Sequence, residues 1–293
     1  MTTQETCVLF WNINKKPLTE NIARLVGGHD VQIVLLAESA YLDTPELLLD
    51  RLNAPPFTLS GDRRFSHITR GPVSPRVQVF ARGPFSRWRS LKVRSRYTIW
   101  RVTTESGNTL LLTAAHFPSV WEEQGDEQRK TAVDLREDMD AVERFYTNEA
   151  RGVKGFKGAP LVIVGDLNAN PFDAGIAGVY GLNATQRRAV AGEGVRELDG
   201  RFYPFLYNPM WQFYGTREGA APGTYYCRLS RPVCYDWFIL DQVLIRPSLL
   251  TLMDDASVKI LASDGVVSLV QGNDSRPRKG LSDHLPLVFT LRI

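Results

Sequence analysis

Apolar residues in this chain fall into strand-length runs, and most of those runs stop at a polar side chain. Cys7-Val8-Leu9-Phe10-Trp11 leads into Asn12 and Asn14, and Val31-Gln32-Ile33-Val34-Leu35-Leu36-Ala37 leads into Glu38. A run over 110–115 ends at His116, and Leu161-Val162-Ile163-Val164 ends at Gly165-Asp166-Leu167-Asn168. Near-continuous aliphatic runs of this length predict strands buried on both faces. Further short strands are expected around 77–80, 91–93, 97–102 and 224–227. The stretch 235–245 reads as one longer strand, and a last strand follows Ser282-Asp283-His284. A three-to-four spacing appears twice. Ile22, Leu25 and Val26 form one helical face, with Thr19 as its expected N-cap and Gly27-Gly28 as its end. Ala132, Leu135, Met139, Val142 and Tyr146 form another, whose acidic residues read as a solvated face. Strands alternating with helices place the chain among α/β folds.

Length changes little. At 293 residues the chain fits one α/β domain, 1–293, with an irregular excursion at about 172–215 where substrate selection is expected. No apolar run is long enough to cross a bilayer, and the first residues carry neither a basic region nor an apolar core. We therefore expect a cytoplasmic protein with no membrane association. Cys227 and Cys234 are close enough in sequence to meet across a hairpin, but the odd count of 3 cysteines favours reduced thiols.

Charge changes the picture more. The net charge of +3 is modest, yet from Arg63 through Thr104 there is no acidic residue. Arg63, Arg64, Arg70, Arg76, Arg82, Arg87, Arg89, Lys92, Arg94, Arg96 and Arg101 fall there, interleaved with Phe65, Phe80, Phe85, Trp88, Tyr97 and Trp100. A cationic belt with stacking rings suits nucleic acid; the bland alternative is a solvated sheet edge over core aromatics. We take Arg82, Arg87, Arg89 and Arg94 from it as candidate substrate contacts. Arg187, Arg188, Arg276, Arg278 and Lys279 from later loops join them.

The polar residues at the strand ends are the candidate chemistry. Glu38 directly after an apolar run is costly to bury without a cation or a donor, and metal coordination resolves that cost. Asp166 is placed to accept a proton from water, and Asn168 to donate to an oxyanion without adding charge. A lone His116 at a strand end is by itself an ordinary core histidine; its repetition of the Glu38 and Asp166 pattern makes it a site candidate. Asp236, between aromatic neighbours, is expected to be shielded and to need a partner, whereas Asp241 reads equally as a solvated turn.

Taken together, Trp11-Asn12-Ile13-Asn14, Glu38, Ala115-His116, Gly165-Asp166-Leu167-Asn168-Ala169, Asp236-Trp237-Phe238-Ile239-Leu240 and Ser282-Asp283-His284 resemble, in order and spacing, the endonuclease/exonuclease/phosphatase superfamily. The resemblance spans nearly the whole chain. It implies a four-layered α/β sandwich, two facing mixed β-sheets flanked by helices, with the site at one end. It also implies a divalent cation, Mg2+ or Mn2+, and hydrolysis of a phosphate ester by in-line attack of water. By that resemblance Glu38 is the principal metal ligand, with Asn12, Asn14 and Asp283 lining the metal region. Asn14 stands where family members often carry Asp, so one ligand charge is missing. Asp166 and Asn168 resemble the pair that orients or deprotonates water and steadies the phosphorane. Asp236 matches the partner of His284, and His116 the second histidine, here without an early-strand carboxylate beside it.

The expected function is a metal-dependent phosphodiesterase hydrolysing nucleic acid. The alternatives are a phosphatase or phosphodiesterase on a small-molecule or lipid-borne phosphate, and a catalytically impaired phosphate-binding module.

Overall fold

In the computed structural model, which describes residues 4–56, 64–68, 76–83, 85–119, 126–147, 155–215, 221–227, 236–272 and 275–293, the apolar runs assemble into two mixed sheets. The first has 6 strands: Glu5–Asn12 (β1), Val31–Ala37 (β2), Ser66–His67 (β3), Val77–Ala81 (β4), Lys259–Ile260 (β12) and Leu287–Arg292 (β13), ordered β12-β13-β1-β2-β4-β3. The second has 7: Phe85–Val93 (β5), Tyr97–Thr104 (β6), Thr109–His116 (β7), Leu161–Asp166 (β8), Ala184–Thr185 (β9), Leu206–Tyr207 (β10) and Asp241–Ile245 (β11), ordered β5-β6-β7-β8-β11-β10-β9. β1–β2, β7–β8 and β9–β10 run parallel.

The period of two within each strand sorts its side chains into layers. Val8, Phe10, Ile33 and Leu35 from the first sheet meet Trp100, Leu112, Val162, Val164 and Val243 from the second in a shared inner core. The alternate residues Leu9, Trp11, Val34 and Leu36 face outward, onto helices Thr19–Gly28 (α1) and Pro45–Leu52 (α2). Leu111, Leu161, Ile163 and Leu244 likewise cover helix Asp126–Glu143 (α3) through its Ala132, Leu135, Met139 and Val142. Burying side chains such as Leu135 and Met139 contributes about 1.5–3 kcal/mol each. The result is helix, sheet, sheet, helix: the expected sandwich.

Three local expectations need correction. Thr19 does not cap α1; Leu18 occupies that position and the Thr19 hydroxyl instead pairs with Tyr41 Oη at 2.7 Å. The acidic side of α3 is not merely solvated. Asp138 is buried and accepts from Arg94 Nε at 2.8 Å and Tyr97 Oη at 2.8 Å, with Lys92 Nζ at 3.0 Å. Glu143 forms a fully buried ion pair with Arg246, 2.7 Å at its shortest. These acids therefore dock the helix on the second sheet.

The third correction concerns the stretch expected as one strand over 235–245, whose first residue lies outside the described residues. It breaks in two: Trp237–Phe238 pairs with Tyr225–Tyr226, and β11 starts afresh at Asp241. Side chains from elsewhere capture the intervening donors. Thr224 Oγ1 accepts from Leu240 N and Asp241 N at 3.0 and 2.9 Å, and Asn170 Oδ1 accepts from Ile239 N at 3.1 Å. Within the excursion, β9 and β10 extend the second sheet, and Val195–Leu198 pairs with Arg201–Pro204 in a hairpin.

Strand direction decides where the polar residues go. β1, β2, β7 and β8 end at one rim of the sandwich, where the antiparallel β11 begins and the chain enters β13. No helix among the described residues is long and apolar enough to cross a membrane.

Candidate active site

The rim is assembled by close backbone approach. A Cβ on Gly165 would lie 2.0 Å from the Ala115 carbonyl oxygen, so glycine is what lets β8 lie against β7 there. That register sets His116 beside Asp166. On the first sheet, Asn12 ends β1 and Glu38 follows β2 directly. Glu38 has φ +45, and Asn14, Lys15 and Asn168 have φ +45, +56 and +47. Left-handed backbone at a glutamate and a lysine is strained, by about 1–3 kcal/mol per residue, and such strain concentrates at functional sites.

Asn12 ties the two sheets together. Its Nδ2 donates to Asp166 Oδ2 at 2.9 Å and to Glu38 Oε1 at 3.3 Å, while its Oδ1 accepts from Asn14 N at 3.0 Å. Asn12 thus positions Glu38 from the first sheet and Asp166 from the second. Asn14 Nδ2 donates to Asp283 Oδ1 at 2.9 Å. Asp166 is buried, and its Oδ1 accepts from Asn168 N at 2.9 Å. One hydrogen of Asn168 Nδ2 goes to Phe117 O at 3.0 Å, leaving the second for a ligand.

His116 Nε2 lies 3.8 Å from Glu38 and 3.9 Å from Asp166. Burial pushes its pKa down against the pull of those two carboxylates, so the ring is neutral near pH 7. Its Nδ1 has no hydrogen-bond partner among the described residues, in line with the missing carboxylate.

His284 is held differently, and here the sequence expectation fails. Asp236 is exposed and does not reach it. The partner is Asp241, wholly buried at the start of β11, whose Oδ2 lies 2.8 Å from His284 Nδ1. The strand break described above causes the difference: Asp241, directly across the ladder from Asp166, is the residue that reaches the rim. Burial alone lowers the pKa of His284, but Asp241, Asp166 and Asp283 overcome it and raise it to about 10, so the ring is an imidazolium at neutral pH. Burial raises Asp241 to about 6, with His284 opposing. The loop is fixed by Trp11 Nε1 donating to His284 O at 2.9 Å and by Ser282 Oγ donating to Asn12 O at 2.6 Å. The Tyr225 ring packs 4.6 Å from the imidazole.

Asp166, Asp241 and His284 offer ligand atoms within 4.8 Å of one another. Asp241 is sealed from solvent and already bonded to His284, so this trio makes a poor metal cage. Glu38 is better suited: its side chain is 33% exposed and faces a pocket of about 350 Å³ with Asp283, Asn14 and Asp166. Hard oxygens with room for water suit magnesium or manganese.

The pocket is also lined by Lys15, Arg76, Arg96, His116, Asn168, Tyr225 and His284. None of the arginines expected at the substrate lines it. Arg82 is buried against Asp30 at 2.5 Å, donates to Val31 O and stacks on Phe65. Arg94 is bound to Asp138. Arg188 pairs with Asp255 at 2.9 Å over the Tyr207 ring, next to Ile245 and so at the other end of β11 from Asp241. Arg87 and Arg89 are exposed on edge strand β5, and Arg187, Arg276, Arg278 and Lys279 on loops and a hairpin outside the pocket. Arg63, Arg70 and Cys234 lie outside the described residues. Sequence reasoning thus missed Asp241, Lys15, Arg76, Arg96 and Tyr225; the two arginines belong to the acid-free stretch but carry no mark that separates them from its other members.

No protein-family profile matches the chain, and no curated protein does. Solved structures do. ANGEL2, a 2',3'-cyclic phosphatase, superposes with a TM-score of 0.56 at 12% identity, covering 100% of this chain and 96% of that one. An AP endonuclease from Archaeoglobus fulgidus gives 0.53 at 12% identity, covering 98% and 100%. An endonuclease/exonuclease/phosphatase family protein from Leptotrichia buccalis gives 0.51 at 13%, covering 98% and 100%. At such identities the likeness is one of fold, and it is end to end: the chain has the fold of the endonuclease/exonuclease/phosphatase superfamily.

Proposed function

We propose that this protein is a metal-dependent hydrolase of phosphate esters that cleaves nucleic-acid phosphodiesters by direct attack of water. The observation that carries this reading is the convergence on one pocket of Glu38, Asp166, Asn168, His116 and the Asp241-bound His284.

Each residue has a role that its surroundings support. Asp166, fixed by Asn12 and Asn168 N, orients the water and takes its proton. His284, cationic and oriented through Nδ1, presents Nε2 to a non-bridging phosphate oxygen; Nε2 lies 3.8 Å from Asp166 Oδ2. As an imidazolium it is a donor and not a base. Asn168 donates its free amide hydrogen to the same charge. His116, neutral, stands between Glu38 and Asp166 for the leaving oxygen or a second phosphate oxygen. Glu38, with Asp283 and Asn14, would hold Mg2+ or Mn2+, which when bound neutralises phosphate charge and polarises the ester. Lys15, Arg76 and Arg96 at the pocket draw in a polyanion.

The small-ester reading has one observation of its own: every arginine expected as a substrate contact binds inward or lies outside the pocket, although Arg76 and Arg96 of the same belt line it. One experiment separates the two. Purified protein is incubated with labelled single- and double-stranded DNA, RNA and small phosphate esters, in Mg2+ or Mn2+ and with EDTA as control. We expect metal-dependent cleavage of nucleic acid that weakens steeply with salt. Turnover of small esters alone would favour the second reading, and no metal-dependent hydrolysis would refute both.

A further inference from the structure

We infer that Phe172, Trp211 and Tyr214 form a stacking platform that seats a nucleobase next to the phosphate being cleaved. This rests on the nucleic-acid reading above and names the part of the substrate that the pocket itself leaves unrecognised.

The three rings form a closed set. Phe172 lies 5.5 Å from Tyr214 and 6.3 Å from Trp211, and Trp211 lies 5.7 Å from Tyr214. Yet Phe172 is 50% exposed and Tyr214 38%. Other exposed apolar side chains such as Leu47 and Val266 join no ring cluster beside the site and are ordinary surface residues. The 3-10 helix Pro209–Phe213 divides its side chains: Met210 and Phe213 pack on the inner core, and the half-buried Trp211 packs against Phe172 and Tyr214.

The platform is tied to the catalytic loop. Tyr214 Oη donates to Asn170 Oδ1 at 3.1 Å. Asn170 is two residues beyond Asn168, at most about 7 Å along the chain. A second tie runs through Asn208, which caps the 3-10 helix and donates to Gln242 Oε1 at 2.7 Å, while Gln242 Nε2 donates to Ala169 O. The rings are thus held in place before any ligand arrives, tied to the loop that carries Asn168, within four residues of it. The pocket supplies charge and hydrogen bonds for phosphate, and the aromatic set tied to its Asn168 loop supplies what any base can stack on, a flat face. Stacking of this kind is tolerant of sequence, so the platform selects base-bearing strands over bare phosphate esters.

The test compares a short single-stranded DNA oligomer with an equally long chain of abasic deoxyribose phosphates. Binding is read by anisotropy in EDTA, and KM and kcat are read in Mg2+. We expect wild type to prefer the base-bearing strand by about ten- to a hundredfold in Kd and KM. Phe172→Ala and Tyr214→Ala should each shrink that ratio by at least about fivefold, and Tyr214→Phe, which keeps the ring, should preserve it. Equal affinity of wild type for the two strands, or an undiminished ratio in Phe172→Ala, would overturn the platform and leave the rings to packing or to a protein ligand. Preferential binding with no hydrolysis of either strand would refute the nucleic-acid hydrolase reading and leave the platform standing.

Discussion

Replacing Asp241 by Asn, with Asp236→Asn as its control, separates the two carboxylates that compete for the role of His284's partner. In the wild type the Asp241 carboxylate lies 2.8 Å from Nδ1, inside the protein, and keeps His284 charged to about pH 10. The carboxamide of the variant would remove the charge and keep the shape. His284 is fully buried, and losing the strongest of the carboxylates that oppose burial would lower its pKa from the wild-type value, with Asp166 and Asp283 left to hold it up. A smaller share of the molecules would then carry the imidazolium at neutral pH. An amide can also bond the wrong tautomer. Loss of one preorganised electrostatic group costs roughly 10²–10³ in rate, and loss of tautomer control in comparable buried dyads about 10⁴. We therefore expect Asp241→Asn to lower kcat/KM by about 10²–10⁴, or about 3–5 kcal/mol of transition-state stabilisation. Asp236→Asn, at an exposed position, should stay within about threefold of wild type. The assay is single-turnover hydrolysis of a labelled oligonucleotide at pH 7, with circular dichroism to confirm that both variants fold. Near-wild-type turnover in Asp241→Asn, or equal losses in the two variants, would refute the assignment.

Other consequences concern stability. Glu143→Gln takes away the nearer of the two carboxylates of the buried Arg246 guanidinium, leaving Asp140 at 3.5 Å, and should cost up to about 3–5 kcal/mol in urea unfolding; a loss below about 1 kcal/mol would mean that the pair contributes little. Gly165→Ala puts a methyl 2.0 Å from Ala115 O, so β7 and β8 must part; thermal unfolding should fall and hydrolysis should drop with it, and an unchanged melting curve would contradict the close approach. Asp138 is held below its ordinary 3.8: burial pushes it up, but Arg94, Lys92 and Tyr97 outweigh burial. Its contribution is therefore present above pH 3.8 and lost as pH falls through the depressed value. Asp138→Asn should be less stable than wild type at pH 7, with the gap closing below pH 4; a gap that persists into acid would show that the charge is not its source.

How far these features were legible in the chain follows from where their causes lie. Glu38, His116 and Asp166 each end an apolar strand, and strands of a sandwich that end together put such residues on one rim; that inference needs only local pattern and direction. Asp241 was not legible, because the break in its strand is made by the Thr224 and Asn170 side chains, distant in sequence. The arginine belt shows the same limit. Its lack of acids is visible in composition, but the acids that neutralise Arg82 and Arg94 come from β2's entry loop and from α3, at Asp30 and Asp138. Only the tertiary structure separates those arginines from Arg76 and Arg96, which line the pocket. The acidic face of α3 was misread for a related reason: helical spacing marks its apolar stripe and says nothing about which flanking charges meet a buried cation.

The central claim is that Glu38, Asp166, His116 and His284 hold a divalent ion and a phosphate together in one pocket. Diffraction from crystals grown with Mn2+ and inorganic phosphate, using the anomalous signal of manganese, tests it most directly. The account predicts manganese on the Glu38 carboxylate and phosphate between His116, Asn168 and His284. Manganese bound away from Glu38, or phosphate seated outside the pocket, would contradict it.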